Sequence, residues 1–414
     1  MMKRFLTLLA VLSTGVLFGQ PTESRTWTAK SGHKVEAKAL AVAEGKVRFE
    51  RADGTQVTVE IAKLSDDDQE LLREHFEVET PDPEAAPEVE AADDLPHPLG
   101  ETTGEISTGG EWSYFLYLPK SLAKGEKHPV MFIMNPGGGG AGTTNRYIPG
   151  AERNRMILAV SKQSKNGFEK SQEAVDAMIE HVLDTLPIDG DRLYTSGFSG
   201  GSRMALATAT KNSDITGVLA CGAGGSVGNA KQVVYGLCGT NCFNRTDMAH
   251  GFKGYRNRDG LLRYFPGKHA WAGDELIDDG ITHLNGVFLL SNGKNYPEAT
   301  ERYVQDVMAL VRESKDTAPM RAFMWTSFLT EHGAEADGLE ELHRELGADE
   351  VNETYVKGLQ EIEAFAEKSF GEVSASQWKA DPKVSSACLR EAKKYPGTPW
   401  EEVLTKMAED AQKF

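Results

Sequence analysis

The chain is predicted to be an α/β protein built on a doubly wound, mainly parallel sheet. A small β unit precedes that sheet and a helical region follows it. Three observations carry this prediction. Short apolar runs alternate with stretches of helical spacing between residues 100 and 286, as strands crossed over by helices must. Residues 35–61 show two-residue alternation closed by turn residues, the signature of half-buried antiparallel strands. Beyond residue 281 only helical spacing remains.

The chain has 414 residues, long enough for two or three folded units. Its apolar fraction of 40% suits a packed globular protein. A formal net charge of −17 argues against nucleic acid or an anionic membrane surface as partner, since both repel an acidic protein.

Residues 1–20 open on Met1-Met2-Lys3-Arg4 and continue as an apolar run to Phe18, the build of a secretory signal peptide. The run is short for a membrane span, which takes about 20 residues. A secreted or periplasmic protein with no stable membrane span after cleavage is therefore expected, a retained N-terminal anchor being the alternative. Cleavage falls near Ser13-Thr14-Gly15 or near Gly19. The four cysteines, Cys221, Cys238, Cys242 and Cys388, allow three pairings in an oxidising compartment. Buried free thiols are the expectation for at least two of them. No Cys or His spacing suggests zinc, and neither a metal nor a cofactor is implied.

In residues 21–76, strands are expected at 35–40, 46–50 and 56–61, with Asp53-Gly54 turning the last hairpin. Ser65 caps a helix to His75, with acids in its first turn. The pattern RTWTAKSGHKVEAKAL…RADGTQVTVEIAKLSDDDQELL resembles the SLA1 homology domain 1, an SH3-like barrel. The resemblance implies docking of a peptide or protein through residues 25–76, or a spacer role. Residues 77–99 are Pro-, Ala- and acid-rich with no basic residue, so they are expected to form an extended linker.

In residues 100–286, strands are expected at 112–118, 130–134, 156–160, 192–195, 215–220, 233–237 and 261–265, with helices at 169–186 and 202–211. Gly197-Phe198-Ser199-Gly200-Gly201 lies between a strand and a helix. In that context G-x-S-x-G makes Ser199 a nucleophile on a sharp turn, with the Gly200 N–H facing the charge that develops on an attacked carbonyl. Asn135-Pro136-Gly137-Gly138-Gly139-Gly140 follows a buried strand. Pro136 has no N–H, so a second oxyanion donor must come from Gly137, Gly138 or later. His269 follows the last strand and can take the Ser199 proton, because neutral imidazole is basic near neutral pH.

NPGGGG, GFSGGSRMA, GTNCFN and FPGKHAWA, in that order, resemble the α/β-hydrolases related to polyhydroxybutyrate depolymerases, feruloyl esterases and dienelactone hydrolases. The resemblance implies acyl transfer to water on a small-molecule or polymer-borne ester, with Ser199 as nucleophile and His269 as base. Relatives carry an acid just before the Phe-Asn of the third segment, where this chain has Cys242. Asp247 is the nearest replacement for the acid, and Asn241 is an amide alternative. The expected function is an exported serine esterase. The alternative is a catalytically impaired hydrolase-fold binding or scaffold protein.

Residues 287–414 are expected to be a helical appendage, with helices after Pro297 and at 320–331, 335–346, 351–370 and 400–413. Their aromatics Trp325, Phe328, Tyr355 and Phe365 are expected in its core.

Overall fold

The structure is a computed structural model that describes residues 22–28, 30, 34–43, 46–51, 56–76, 95–123, 125–225, 232–252, 259–370 and 381–412. The expected signal segment, the Asp53-Gly54 turn and most of the expected linker lie outside the described residues. The chain divides into two compact units, Met1–Glu88 and Val89–Phe414.

In the first unit, β1 (Arg25–Thr28), β2 (Lys34–Ala43), β3 (Lys46–Arg51) and β4 (Gln56–Glu60) form an antiparallel sheet in chain order. Trp27 and Phe49 are fully buried with ring centroids 4.9 Å apart, and the Trp27 indole N–H donates to Ala37 O. α1 (Asp66–His75) closes the core with Leu72. Ser65 Oγ accepts from the Asp68 N–H at its start, as a capping residue should. Strand β1 escaped the sequence reading because it contributes only one buried side chain, Trp27.

Among the described residues, the second unit contains eight strands: β5 (Ile106–Ser107), β6 (Ser113–Tyr117), β7 (His128–Met134), β8 (Ile157–Ser161), β9 (Ile188–Phe198), β10 (Ile215–Cys221), β11 (Val233–Asn241) and β12 (Leu261–Lys268). Their order is β5-β6-β8-β7-β9-β10-β11-β12. β6 pairs antiparallel with both β5 and β8, and all the other pairings are parallel. This is the α/β-hydrolase arrangement. Every residue of β7 and β8 is buried, as strands covered by helices on both faces require.

The order reverses at β7: the next strand in sequence, β8, lies on one side of it and β9 on the other. Crossovers diverge there and open a crevice at the carboxyl ends of the strands. The register pairs Met134 with Gly197, so the glycine-rich loop leaving β7 and the turn leaving β9 emerge side by side.

Helices α2 (Ala141–Thr144), α3 (Ile148–Asn154), α4 (Ser171–Thr185), α5 (Gly200–Lys211), α6 (Arg245–Phe252) and α7 (Asp274–Ser291) complete the expected strand-helix region. α7 runs unbroken across Gly286, where that region was expected to end. It is followed by α8 (Pro297–Ser314), α9 (Pro319–Glu331), α10 (Leu339–Gly347), α11 (Glu350–Phe370), α12 (Pro382–Ala392) and α13 (Pro399–Asp410). These are more than an appendage. α11 packs on β12 and α6, and α13 packs on β11 and β12. Trp325, Phe328 and Tyr355 share one continuous core with the sheet, and Phe365 packs against it half-buried.

A buried polar group ties the two parts together. Arg263 on β12 pairs with Asp279 on α7 at 2.7 Å and donates to the Tyr355 hydroxyl on α11, also at 2.7 Å. Asp279 in turn accepts from Arg321 at 2.8 Å and from the Trp325 indole at 3.3 Å, both on α9. Two charges taken out of water survive only when paired and hydrogen-bonded in this way.

Candidate active site

Ser199 sits between β9 and α5 with φ 55° and ψ −117°, a conformation that non-glycine residues rarely adopt. The turn closes because its neighbours are glycines. A Cβ on Gly197 would collide with the Gly201 backbone and Met134 O, and a Cβ on Gly201 would collide with Met134 O. The Ser199 N–H is held by Cys221 O at 2.8 Å, which leaves the hydroxyl free to project.

His269, one residue past β12, meets that hydroxyl: its Nε2 lies 2.8 Å from Ser199 Oγ. The imidazole lies between Phe198 and Phe243, with ring centroids at 4.7 and 4.0 Å. Phe243 is 55% exposed and forms the outer wall. The other ring nitrogen, Nδ1, lies 3.1 Å from Sγ of Cys242. Cys242 is the first residue after β11 and is buried. A line of polar contacts therefore runs from Ser199 through His269 to Cys242.

The Cys242 thiol is acidified. A hydrogen bond from the Cys238 thiol, the contact with His269 and the Asn244 N–H draw its pKa down from 9.0 to about 6, against the opposing effect of burial. The Asn244 N–H donates to Sγ at 3.4 Å. Burial pushes the Cys238 thiol up instead, so of this pair Cys242 is the one that carries charge near neutrality. A thiolate there accepts from Nδ1–H, which fixes the tautomer whose Nε2 lone pair faces Ser199. All four cysteines, Cys221, Cys238, Cys242 and Cys388, are free and buried.

Asp247, the expected substitute acid, is elsewhere. It lies on α6 with its carboxylate 3.1 Å from Arg203 Nη2, and both side chains are substantially exposed. The reason is local: β11 ends at Asn241, so Cys242 is the side chain at the strand tip, and Asp247 has already been carried away in the first turn of the next helix. The sulfur also fills the place at Nδ1 that Asn241 was considered for.

The expected second oxyanion donors need correction as well. Gly137 N–H is taken by Asn135 Oδ1 at 3.0 Å and Gly138 N–H by Asn135 O at 2.8 Å. Asn135 Nδ2 donates to Thr143 Oγ1 at 2.7 Å, which holds the Oδ1 in that role. Gly139 N–H donates to Ser161 O at 2.8 Å. The loop binds the Gly137 and Gly138 amides through its own Asn135, and β8 binds that of Gly139. Gly200 opens α5, where the first N–H groups have no partner within the helix.

Among the described residues, no group of three or more His, Cys, Asp or Glu side chains is placed to hold a metal ion. No described helix is long and apolar enough to cross a membrane.

No curated protein matches the chain. Among solved structures, a thermostable esterase is similar at 17% identity, covering 49% of this chain and 62% of its own, with a TM-score of 0.32. The esterase of Pyrobaculum calidifontis is similar at 12% identity, covering 46% and 86%, with a TM-score of 0.36. A ferulic acid esterase is similar at 15% identity, covering 45% and 95%, with a TM-score of 0.36. The chain thus spans less than two thirds of the first of these. Residues 18–79 match the family model of SLA1 homology domain 1. The chain therefore carries, in order, an SLA1 homology domain 1 segment and a unit with the α/β-hydrolase fold.

Proposed function

We propose that the protein is an exported serine hydrolase of carboxylic esters. The observation that carries this reading is the line Ser199 Oγ, His269 Nε2 at 2.8 Å, and Cys242 Sγ at 3.1 Å from Nδ1. Ser199 attacks the ester carbonyl while His269 Nε2 takes its proton. The carbonyl oxygen gathers negative charge beside the Gly200 N–H. The Cys242 thiolate accepts from Nδ1–H and stabilises the imidazolium, as a carboxylate does in related triads. The imidazolium then gives its proton to the leaving alcohol, and a water activated by His269 releases the acid. Cys242 is buried behind the imidazole and takes no part as nucleophile.

The substrate is an ester substituent of a polymer or of its fragments. Ser199 and His269 are both partly exposed and Phe243 stands open beside them, an arrangement that admits a substituent on a bulky carrier. The SLA1 homology segment, through residues 25–76, docks a peptide or protein. Residues 1–20 direct the chain to the periplasm or the exterior, and N-terminal sequencing of exported protein is expected to begin between Val16 and Arg25.

A second reading rests on the same Cys242: a hydrolase-fold binding protein whose catalysis was lost with the carboxylate. Turnover of short-chain p-nitrophenyl esters separates the two. The esterase reading expects hydrolysis that Ser199→Ala abolishes. Hydrolysis at the same background rate in both proteins would leave the binding reading standing.

A further inference from the structure

The backbone leaves one position of the oxyanion site unfilled. Asn135 N–H donates to Ser164 Oγ at 3.1 Å, Pro136 has no N–H, the amides of Gly137 and Gly138 are bonded to Asn135, and that of Gly139 is bonded to Ser161 O on β8. Of the amides expected here, Gly137, Gly138 and Gly200, only that of Gly200 has no bonding partner, whereas such a site ordinarily assembles two donors. A tetrahedral intermediate with one donor is poorly stabilised, since each donor contributes about 10²–10³ in turnover.

A side chain stands beside that place. Asn166 lies in the loop between β8 and α4, and its own N–H is anchored to Pro136 O at 2.9 Å. This bond ties the loop to the segment that leaves β7. From there the Asn166 carboxamide reaches over Gly200. A Cβ on Gly200 would overlap its Oδ1, with Cγ at 2.8 Å and Nδ2 at 3.0 Å. A side chain at position 200 would require this carboxamide to move. Asn166 is exposed, and its carboxamide makes no hydrogen bond among the described residues. A half-turn about Cβ–Cγ exchanges Oδ1 and Nδ2 without changing shape, so the amide can present either a donor or an acceptor.

We propose that Asn166 is the second oxyanion donor: its Nδ2–H, with the Gly200 N–H, binds the carbonyl oxygen as charge develops on it. The proposal rests on the esterase reading. The charge arises when the Ser199 Oγ–carbonyl bond forms and the carbonyl π pair moves onto oxygen. It is discharged when that pair re-forms the carbonyl and expels the alkoxide, which His269 protonates. A donor that acts on developing charge changes kcat and leaves ground-state binding nearly untouched.

The test compares wild type, Ser199→Ala, Asn166→Ala and Asn166→Asp on p-nitrophenyl acetate and butyrate. Thermal unfolding of each shows that the fold is kept. Asn166→Ala is expected to lower kcat about 10²–10³-fold with KM changed by less than about three-fold. Asn166→Asp, the same shape with no donor and a charge of the wrong sign, is expected to fall at least as far. If wild type is active, Ser199→Ala is dead and Asn166→Ala keeps its kcat, the Asn166 proposal is overturned and the esterase reading stands. If wild type shows no Ser199-dependent turnover, the esterase reading fails, and the Asn166 proposal with it.

Discussion

His269 Nδ1 faces the sulfur of Cys242 at 3.1 Å, while its Nε2 faces Ser199 Oγ at 2.8 Å. A buried thiol therefore stands where a Ser-His-Asp triad places its carboxylate. Whether it performs the same task depends on its charge, and the surroundings favour the thiolate: the Cys238 thiol, His269 and the Asn244 N–H all stabilise it. Removing the sulfur by Cys242→Ala is expected to lower kcat by about 10²–10⁴-fold, within the range seen when a triad acid is lost. Cys242→Asp restores an anionic acceptor and is expected to retain or exceed wild-type turnover. Parallel kcat measurements on p-nitrophenyl butyrate check both.

The lowered pKa of Cys242 has a sign that stability measurements can read. The thiol titrates at 9.0 ordinarily and at about 6 in the folded protein. The folded state thus favours the deprotonated form, and the stabilisation is complete above pH 9. It declines as pH falls and is gone once pH passes below about 6. Denaturant unfolding of wild type and Cys242→Ser is expected to show a difference that widens in favour of wild type as pH rises through that window. A difference independent of pH would place the proton on sulfur in both states.

Asp247→Asn is expected to change turnover by less than about three-fold, because Asp247 is held by Arg203 at an exposed surface where ion pairs contribute only about 0–1 kcal/mol. A large loss of kcat would instead give Asp247 the role of the triad acid.

Much of this site was legible in the sequence. Ser199 was marked by glycines on either side and by a strand before it, both of which the nucleophile turn requires. His269 was marked by its place after the last strand. Cys242 was noticed as a departure, but nothing in the chain's order reveals that Cys238, four residues earlier, and the Asn244 N–H would acidify it. That effect arises from the strand tip and the loop after it. Gly137 and Gly138 were misjudged because a glycine run signals room for close approach and does not say whether its amides are already bonded. Asn166 carried no signal, since its nearness to Gly200 exists only once β7, β8 and β9 lie side by side. The extent of the second unit was also hidden: helical spacing identified α8 to α11 and α13, but not that they finish the core of the sheet.

That last point predicts a stability effect far from Ser199. Asp279→Ala leaves the buried Arg263 without its carboxylate, a change expected to cost about 3–5 kcal/mol. Chemical denaturation should show the sheet and the C-terminal helices unfolding together. Independent unfolding of residues 292–414 would contradict the shared core.

An esterase working through Ser199 forms a covalent acyl-enzyme on its Oγ. Intact-mass and peptide mass spectrometry of protein treated with a fluorophosphonate, and of protein quenched during turnover of a p-nitrophenyl ester, measures this directly. A single adduct on the peptide bearing Ser199, absent from Ser199→Ala, is expected. Ester hydrolysis that proceeds with no adduct on Ser199, or with the acyl group on another residue, would contradict it.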